Sequence, residues 1–168
     1  MKTPICSFDA KTGILCTKCE SKLKSGHLTP GDIEASMKLT KLAEENNTID
    51  KFTLNGAYKI DQDLVMVLPS SDISIIRSDE NLMKKIQKEF NNHVWFIENG
   101  ATEKRFIENL LYPTKIYSLN LIWLPDGNKL TKIVISENKS KNKPSEEKLK
   151  KIAHKLKDIE LLIDYIKK

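Results

Sequence analysis

The sequence predicts an α+β protein in which a small cysteine-rich segment precedes two domains with the same order of elements. Three observations support this fold class. All the cysteines lie within the first 19 residues, two successive stretches each alternate helical and strand-like apolar patterns, and a polar turn separates the paired strands of each stretch. We therefore divide the chain into a cysteine-rich segment (1–28), a first domain (29–100) and a second domain (101–168).

The first domain should open with a helix that begins after Thr29. Thr29 is a suitable N-cap, Pro30 suits the first helical position, and Asp32 places a carboxylate in the first turn, where it favours the helix dipole. Apolar residues keep helical spacing up to the polar pair at 46–47. The later elements are predicted as strands over 51–59 and 64–68, a helical segment over 72–90 and a buried strand over 94–97.

The second domain repeats this order without recognisable sequence identity to the first. Residues 125–128 (Pro-Asp-Gly-Asn) are a strong turn signal between two strands. The predicted elements are a helix over 102–111, strands over 116–124 and 130–136, a helix over 144–157 and a strand over 159–166, where Leu162 and Ile166 would also permit a helix. Trp95 and Trp123 lie within apolar strands, so both are predicted to belong to the core rather than to stack on nucleic-acid bases.

The composition indicates a soluble protein rather than a membrane or secreted one. The chain has 168 residues, of which 39% are hydrophobic and 30% charged, so it can bury a core and remain in water. No apolar run approaches the roughly 18 residues of a membrane-spanning helix, and the N-terminus lacks the pattern of a signal peptide. Three clustered cysteines cannot cross-link the rest of the chain, which favours a reducing, cytoplasmic setting.

The cysteine-rich segment has the spacing of a structural zinc site with one altered ligand. Such sites are tetrahedral and usually combine two close ligand pairs, each on one tight turn. The predicted ligands, separated by two, six and two residues, are Cys6, Asp9, Cys16 and Cys19. His27 is an alternative fourth ligand, because the hard oxygen of aspartate is a weaker partner for zinc beside three thiolates. The sequence also permits an interpretation without metal, in which Asp9 only stabilises the turn at 11–13.

Positive charge is concentrated towards the end of the sequence. The formal net charge is +5, and eight lysines between residues 139 and 157 are accompanied only by Glu146 and Glu147. These lysines are Lys139, Lys141, Lys143, Lys148, Lys150, Lys151, Lys155 and Lys157. The run is typical either of a solvated helix or of a surface that contacts nucleic acid.

Two stretches and the spacing between them carry a resemblance to a known family. They are residues 4–23 (PICSFDAKTGILCTKCESKL) and residues 94–127 (VWFIENGATEKRFIENLLYPTKIYSLNLIWLPDG). A type II KH domain has the order helix, strand, strand, helix, helix, strand, and the chain resembles the archaeal NusA-like proteins, tandem type II KH modules related to the bacterial transcription factor NusA. The resemblance implies KH-like domains, RNA binding during transcription elongation or termination, and a cysteine-rich knuckle that precedes the first KH domain in some members.

The loop that would clamp RNA departs from the pattern of this family. A working KH domain binds about four nucleotides with a Gly-x-x-Gly loop between two helices. The corresponding residues 77–80 (Arg-Ser-Asp-Glu) contain no glycine, and Asp79 and Glu80 would repel a phosphate, so we predict an ordinary capped turn in which Arg77 contacts one phosphate at most. In the second domain, residues 136–143 (SENKSKNK) supply lysines but no such loop.

The sequence predicts a protein that is not an enzyme. It contains no phosphate-binding loop, nucleophile elbow or pair of catalytic carboxylates. The first hypothesis is a NusA-like accessory factor of transcription whose candidate RNA contacts are Arg77, Lys139, Lys141, Lys143, Lys150 and Lys151. The alternative is a protein–protein interaction scaffold that binds RNA polymerase or a ribosomal component and has lost the RNA clamp.

Overall fold

The computed structural model of the protein describes residues 1–91, 93–137 and 144–166. The chain divides into two compact units, Met1–Gly100 and Ala101–Lys168, and each unit contains helices and a three-stranded sheet. The predicted α+β class is therefore confirmed. Three of the lysines predicted to contact RNA, Lys139, Lys141 and Lys143, lie outside the described residues. Among the described residues, no helix is both long enough and apolar enough to cross a membrane.

The first unit joins the cysteine-rich segment to a sheet with helices on one face. Its elements are α1 (Ser7–Thr12), α2 (Thr17–Lys24), α3 (Pro30–Glu45), α4 (Asn47–Asp50), β1 (Gly56–Ile60), β2 (Asp63–Leu68), α5 (Ser70–Ser78), α6 (Glu80–Phe90) and β3 (Val94–Glu98). In the sheet, β2 pairs antiparallel with β1 and parallel with β3. Apolar side chains of α3, α5 and α6, among them Leu39, Ile76 and Ile86, pack with Met66 and Phe96 of the sheet in one core.

The N-terminus of α3 is held against strand β1 by a network of short hydrogen bonds. Thr29 is the N-cap, as predicted: its Oγ1 accepts from the Asp32 backbone N–H (3.0 Å) and donates to the Ala57 carbonyl (2.6 Å). The buried Asp32 carboxylate accepts from the backbone N–H groups of Thr29 (2.8 Å) and Ala57 (2.7 Å). A Cβ at Gly31 would lie only 2.8 Å from the backbone of Ala57 and Lys59, so the close approach of helix and strand requires glycine here.

The first predicted strand is shorter than expected. The sequence predicts that it begins at residue 51, but β1 begins at Gly56. The helical turn over 47–50 extends into the predicted range, because the backbone N–H groups of Lys51 and Phe52 donate to the carbonyls of Thr48 (3.2 Å) and Ile49 (3.0 Å). Asn46 caps this turn, since its Oδ1 accepts from the backbone N–H groups of Thr48 (2.9 Å) and Ile49 (3.2 Å). Thr53 makes an isolated bridge to Lys2.

The second unit has the same arrangement of strands as the first but is built from fewer residues. Its elements are α7 (Glu103–Leu111), β4 (Ile116–Trp123), β5 (Lys129–Ile135), α8 (Glu146–Lys157) and β6 (Leu161–Tyr165). As in the first unit, the central strand pairs antiparallel with the preceding strand and parallel with the following one. The buried residues of β5 are Thr131, Ile133 and Ile135, whereas the described residues of β4 are all at least partly exposed.

The prediction for the two tryptophans is right for one and wrong for the other. Trp95 in β3 is only 3% exposed, but Trp123 at the end of β4 is 70% exposed. The apolar pattern of β4 indicates a strand correctly, yet β4 is an edge strand of its sheet. Because an edge strand is covered less completely than a central one, its last residue can protrude into solvent.

Candidate metal centre

Four potential ligands converge at one point in the cysteine-rich segment. One ligand atom from each of Cys6, Asp9, Cys16 and Cys19 lies within 4.8 Å of all the others. In a tetrahedral site with metal–sulfur bonds of about 2.3 Å, ligand atoms are roughly 3.8 Å apart. The group therefore has the dimensions of a site for a single ion, and these four residues could hold one.

Two helix starts with the same local geometry bring these side chains together. Cys6 is the N-cap of α1 and Asp9 lies one turn into that helix, while Cys16 and Cys19 occupy the same two positions of α2. Side chains at the N-cap and at the third helical position approach each other across the first turn. Each two ligands that are separated by two residues in the sequence therefore form a pair on one helix start, and the two pairs face each other. Between them, Gly13 adopts a left-handed conformation (φ 74°) that ends α1 and reverses the chain.

Asp9 has the surroundings expected of a ligand rather than of a surface carboxylate. Its side chain is 0% exposed. One oxygen, Oδ2, accepts a hydrogen bond from the backbone N–H of Cys16 (2.9 Å), which fixes the orientation of the carboxylate. The other oxygen, Oδ1, is buried and has no hydrogen-bond partner. A buried carboxylate oxygen without a partner is costly, and a cation bound among the four side chains would satisfy it.

The pKa values of Asp9 and Cys19 are shifted in opposite directions by their shared surroundings. The backbone hydrogen bond from Cys16 lowers the pKa of Asp9 to about 2, against the opposing effect of burial and with help from the three thiols. At Cys19 a backbone hydrogen bond from Cys6 lowers the pKa, but the Asp9 carboxylate, burial and the other two thiols outweigh it and raise the pKa to about 11. At neutral pH Asp9 is thus an anion beside a protonated Cys19. A bound metal ion would lower the pKa of Cys19 and so favour its thiolate.

His27 does not join the group. It is exposed, and its Nδ1 lies 2.7 Å from the hydroxyl of Ser25. The interpretation in which the Asp9 side chain stabilises the turn at 11–13 also differs from the structure. The backbone N–H of Gly13 donates to the backbone carbonyl of Asp9 (2.9 Å), and the Asp9 side chain binds Cys16 instead. The contribution of the Cys16 backbone N–H has no signal in the sequence.

The ligand group is continuous with a small hydrophobic cluster that anchors it to α3. Cys19 packs with Ile5, Ala10 and Leu28, and the partly buried Ile33 and Met37 of α3 pack against the same cluster. Loss of a metal ion would therefore loosen more than the short helices α1 and α2.

The loop at residues 77–80 is an ordinary capped turn, as predicted. It links α5 to α6, and Asp79 Oδ1 accepts from the backbone N–H groups of Asn81 (3.0 Å) and Leu82 (3.1 Å). Glu80 pairs with Lys84 (2.7 Å) on the same helix. Arg77 is half-buried in the last turn of α5. The N-terminus of α6 is thus satisfied by the protein's own carboxylate, which leaves a phosphate little to bind.

The candidate RNA contacts that the structure describes in the second unit lie on α8. Lys151 is exposed and Lys150 is half-buried, while Leu149, Ile152 and Ala153 form the buried face of the helix. The N-cap of α8 is Ser145, whose hydroxyl accepts from the backbone N–H of Lys148 (3.3 Å). The predicted basic helix is therefore present and directs part of its charge to solvent.

The excess positive charge belongs entirely to the second unit. Residues 1–100 contain 13 Lys and Arg against 14 Asp and Glu, a formal net charge of −1. Residues 101–168 contain 15 Lys and Arg against 9 Asp and Glu, a formal net charge of +6. An anionic partner is accordingly attracted to the second unit rather than to the first.

Comparison with known proteins gives little further information. No protein-family model matches the chain, and no curated protein matches it. Among solved structures, the chain is similar to one described as the crystal structure of APE1850. The two share 13% sequence identity with a TM-score of 0.44, over 77% of this chain and 95% of that one. A similarity of this degree assigns the chain neither to a family nor to a function.

Proposed function

We propose that the chain is a non-enzymatic, NusA-like accessory factor of transcription elongation or termination, with two KH-like units that contact RNA through the basic surface of the second unit. The observation that carries the proposal is the charge difference, −1 in the first unit against +6 in the second. The strand arrangement that the two units share, with a helix before the first strand and helical structure between the second and third, supports the KH-like part. Lysine-rich surface binds phosphates without reading sequence, so the expected binding is electrostatic and tolerant of sequence.

We further propose that the cysteine-rich segment binds one structural zinc ion. Three thiols and a carboxylate match the nitrogen, sulfur and oxygen ligands that zinc accepts in closed tetrahedral sites. The three cysteines are free, so no disulfide competes for them. Zinc would hold the starts of α1 and α2 together, which is a structural role and leaves no open position for a substrate.

Zinc stoichiometry on the purified protein separates the candidate ligands. We expect about one zinc per chain in the wild type and in His27→Ala, because a single set of four ligands makes one site and His27 lies outside it. Asp9→Ala should reduce the bound zinc strongly, because only three protein ligands remain. Retention of zinc by Asp9→Ala together with its loss in His27→Ala would show that the histidine supplies the fourth ligand.

RNA binding is expected to depend steeply on salt and on the basic face of α8. Replacement of both Lys150 and Lys151 by glutamate should weaken binding of a single-stranded oligonucleotide. It should also reduce the slope of log K against log salt by about 1.4, at about 0.7 for each lost phosphate contact. Fluorescence anisotropy of a labelled oligonucleotide at several salt concentrations measures both quantities.

The matched control carries the same charge change in the first unit. Lys84 and Lys85 are also adjacent on a helix, and they pair with Glu80 (2.7 Å) and Glu45 (3.9 Å). Replacement of both by glutamate should have a smaller effect on RNA affinity, as should Arg77→Ala. No detectable binding at low salt, or binding that high salt leaves unchanged, would contradict the proposal.

A protein–protein interaction scaffold is the second candidate, favoured by the capped turn at residues 77–80. The Asp79 carboxylate already accepts hydrogen bonds from the backbone N–H groups at the start of α6. This turn is therefore better suited to contact a protein surface than to bind a phosphate. Such a scaffold would bind RNA polymerase or a ribosomal component. Capture of partners before and after nuclease treatment distinguishes the two functions, since a direct protein partner survives nuclease whereas an RNA-bridged partner does not.

A further inference from the structure

We propose that strand β4 of the second unit is a base-stacking site for single-stranded RNA, with the exposed rings of Trp123 and Tyr117 as its platforms. This inference rests on the proposed RNA-binding function and locates where unpaired bases would bind. It differs from the phosphate contacts of α8, because it concerns the bases rather than the backbone of the RNA.

The two aromatic side chains are exposed to a degree that packing does not explain. Trp123 is 70% exposed and Tyr117 is 54% exposed, and both belong to the same edge strand. Large aromatic rings contribute most to stability when buried, so two exposed rings on one strand indicate a surface that another molecule covers. Leu121, between them on the strand, is also exposed.

The charge around these rings favours a nucleic acid as the occupant. The amino group of Lys115, just before β4, lies 5.8 Å from the centre of the Tyr117 ring. Lys129 is the cross-strand partner of Trp123, and its amino group is 3.1 Å from Glu103. These lysines belong to the unit with a net charge of +6, whereas β4 itself has no charged residue. An aromatic ring beside a lysine is the combination that binds single-stranded nucleic acids, with bases stacked and phosphates paired, and here Lys115 rather than the Glu103-paired Lys129 is the candidate phosphate contact.

The geometry of β4 favours RNA over strand addition by a second copy of the chain. Exposed edge strands do pair with other strands, and this is the main competing use of the surface. The register with β5 is interrupted between Ile116 and Ser118, which places a bulge at Tyr117. A bulge bends the strand and increases its twist, so a continuous ladder along β4 is disfavoured, while individual bases can still stack. The turn after β4 carries Asp126, whose carboxylate accepts from the backbone and side chain of Asn128 (both 2.9 Å).

Anisotropy of a labelled oligouridylate of about 12 nucleotides, within the size of known single-strand sites, tests the inference on the full chain. Trp123→Ala should weaken binding by about 5- to 150-fold, the range for loss of one stacked base. Trp123→Phe should retain most of the affinity because it keeps an aromatic face. In a Trp95→Phe background, where Trp123 is the only tryptophan, the single strand should quench fluorescence and a duplex of equal length should not.

Phe8→Ala is the matched control, because Phe8 is an aromatic residue with 68% exposure in the first unit, and it should bind RNA like the wild type. If the wild type does not bind the oligonucleotide, the proposed function itself fails. If the wild type binds and Trp123→Ala binds equally well, only the stacking site is wrong. If Trp123→Ala leaves RNA affinity intact but converts a wild-type dimer to a monomer in sedimentation, the surface joins two copies of the chain and the inference is overturned.

Discussion

Cys19→Ser is expected to abolish stoichiometric zinc binding and to destabilise the first unit. Cys19 is the buried cysteine of the ligand group and also packs with Ile5, Ala10 and Leu28. A serine hydroxyl is a poor zinc ligand, so the remaining two thiols and one carboxylate would no longer close the site. Because the ion binds only the folded segment, its binding energy adds to the stability of the fold.

The expected size follows from ligand linkage. At a zinc concentration about 1,000 times the Kd, binding stabilises the folded state by about 4 kcal/mol, and the variant should lose this contribution. Thermal unfolding with and without a chelator measures it. In a Trp123→Phe background, the fluorescence of the buried Trp95 reports on the first unit separately. The chelator should lower the midpoint of thermal unfolding of the wild type and leave that of Cys19→Ser unchanged. If the chelator does not change the midpoint of the wild type, the proposal of a structural metal ion is wrong.

Asp32→Ala should destabilise the first unit by about 3–5 kcal/mol. The substitution removes two hydrogen bonds to a buried carboxylate and leaves the N–H of the fully buried Ala57 without a partner. Hydrogen bonds to charged groups contribute about 1.5–3 kcal/mol each, and an unsatisfied buried donor costs about 1–3 kcal/mol. The substitution also removes half of the capping box at the start of α3.

Asp79→Ala is the matched comparison for Asp32→Ala, since both aspartates accept from backbone N–H groups at a helix start. Asp79 is exposed and its partners lie within its own helix, so its loss should cost only about 1 kcal/mol. Denaturant unfolding of the two variants gives both values. Equal losses would mean that the link from α3 to β1 contributes little beyond helix capping.

The parts of the molecule that sequence could predict are those fixed by neighbouring residues. The start of α3 follows from Thr29 and Pro30 alone, and the capped turn at 77–80 follows from Asp79. The convergence of the four candidate ligands is predictable for the same reason, because each pair lies on a single turn of helix. The choice of Asp9 over His27 depends on how the chain returns after α2, and spacing leaves that undetermined.

The errors arose where distant residues decide the outcome. An apolar strand pattern does not say which residues the rest of the protein covers, so Trp95 and Trp123 look alike in the sequence and differ in the structure. The strand predicted from residue 51 begins only at Gly56, because residues 51–52 close a turn and Thr53 bridges to the distant Lys2 instead of pairing in the sheet. The hydrogen bond from the Ala57 N–H to the Asp32 carboxylate joins residues 25 positions apart and leaves no pattern in the sequence.

The absence of charge along β4 also bears on how the protein behaves at high concentration. The eight residues of β4, Ile116–Trp123, six of them apolar or aromatic, form an edge with no lysine or acidic side chain to keep other chains away. Lys115 before the strand, Asp126 after it and the bulge at Tyr117 are the features that restrain aggregation there. Neutralising the flanking lysine would therefore make this strand the place where misassembly of the protein begins.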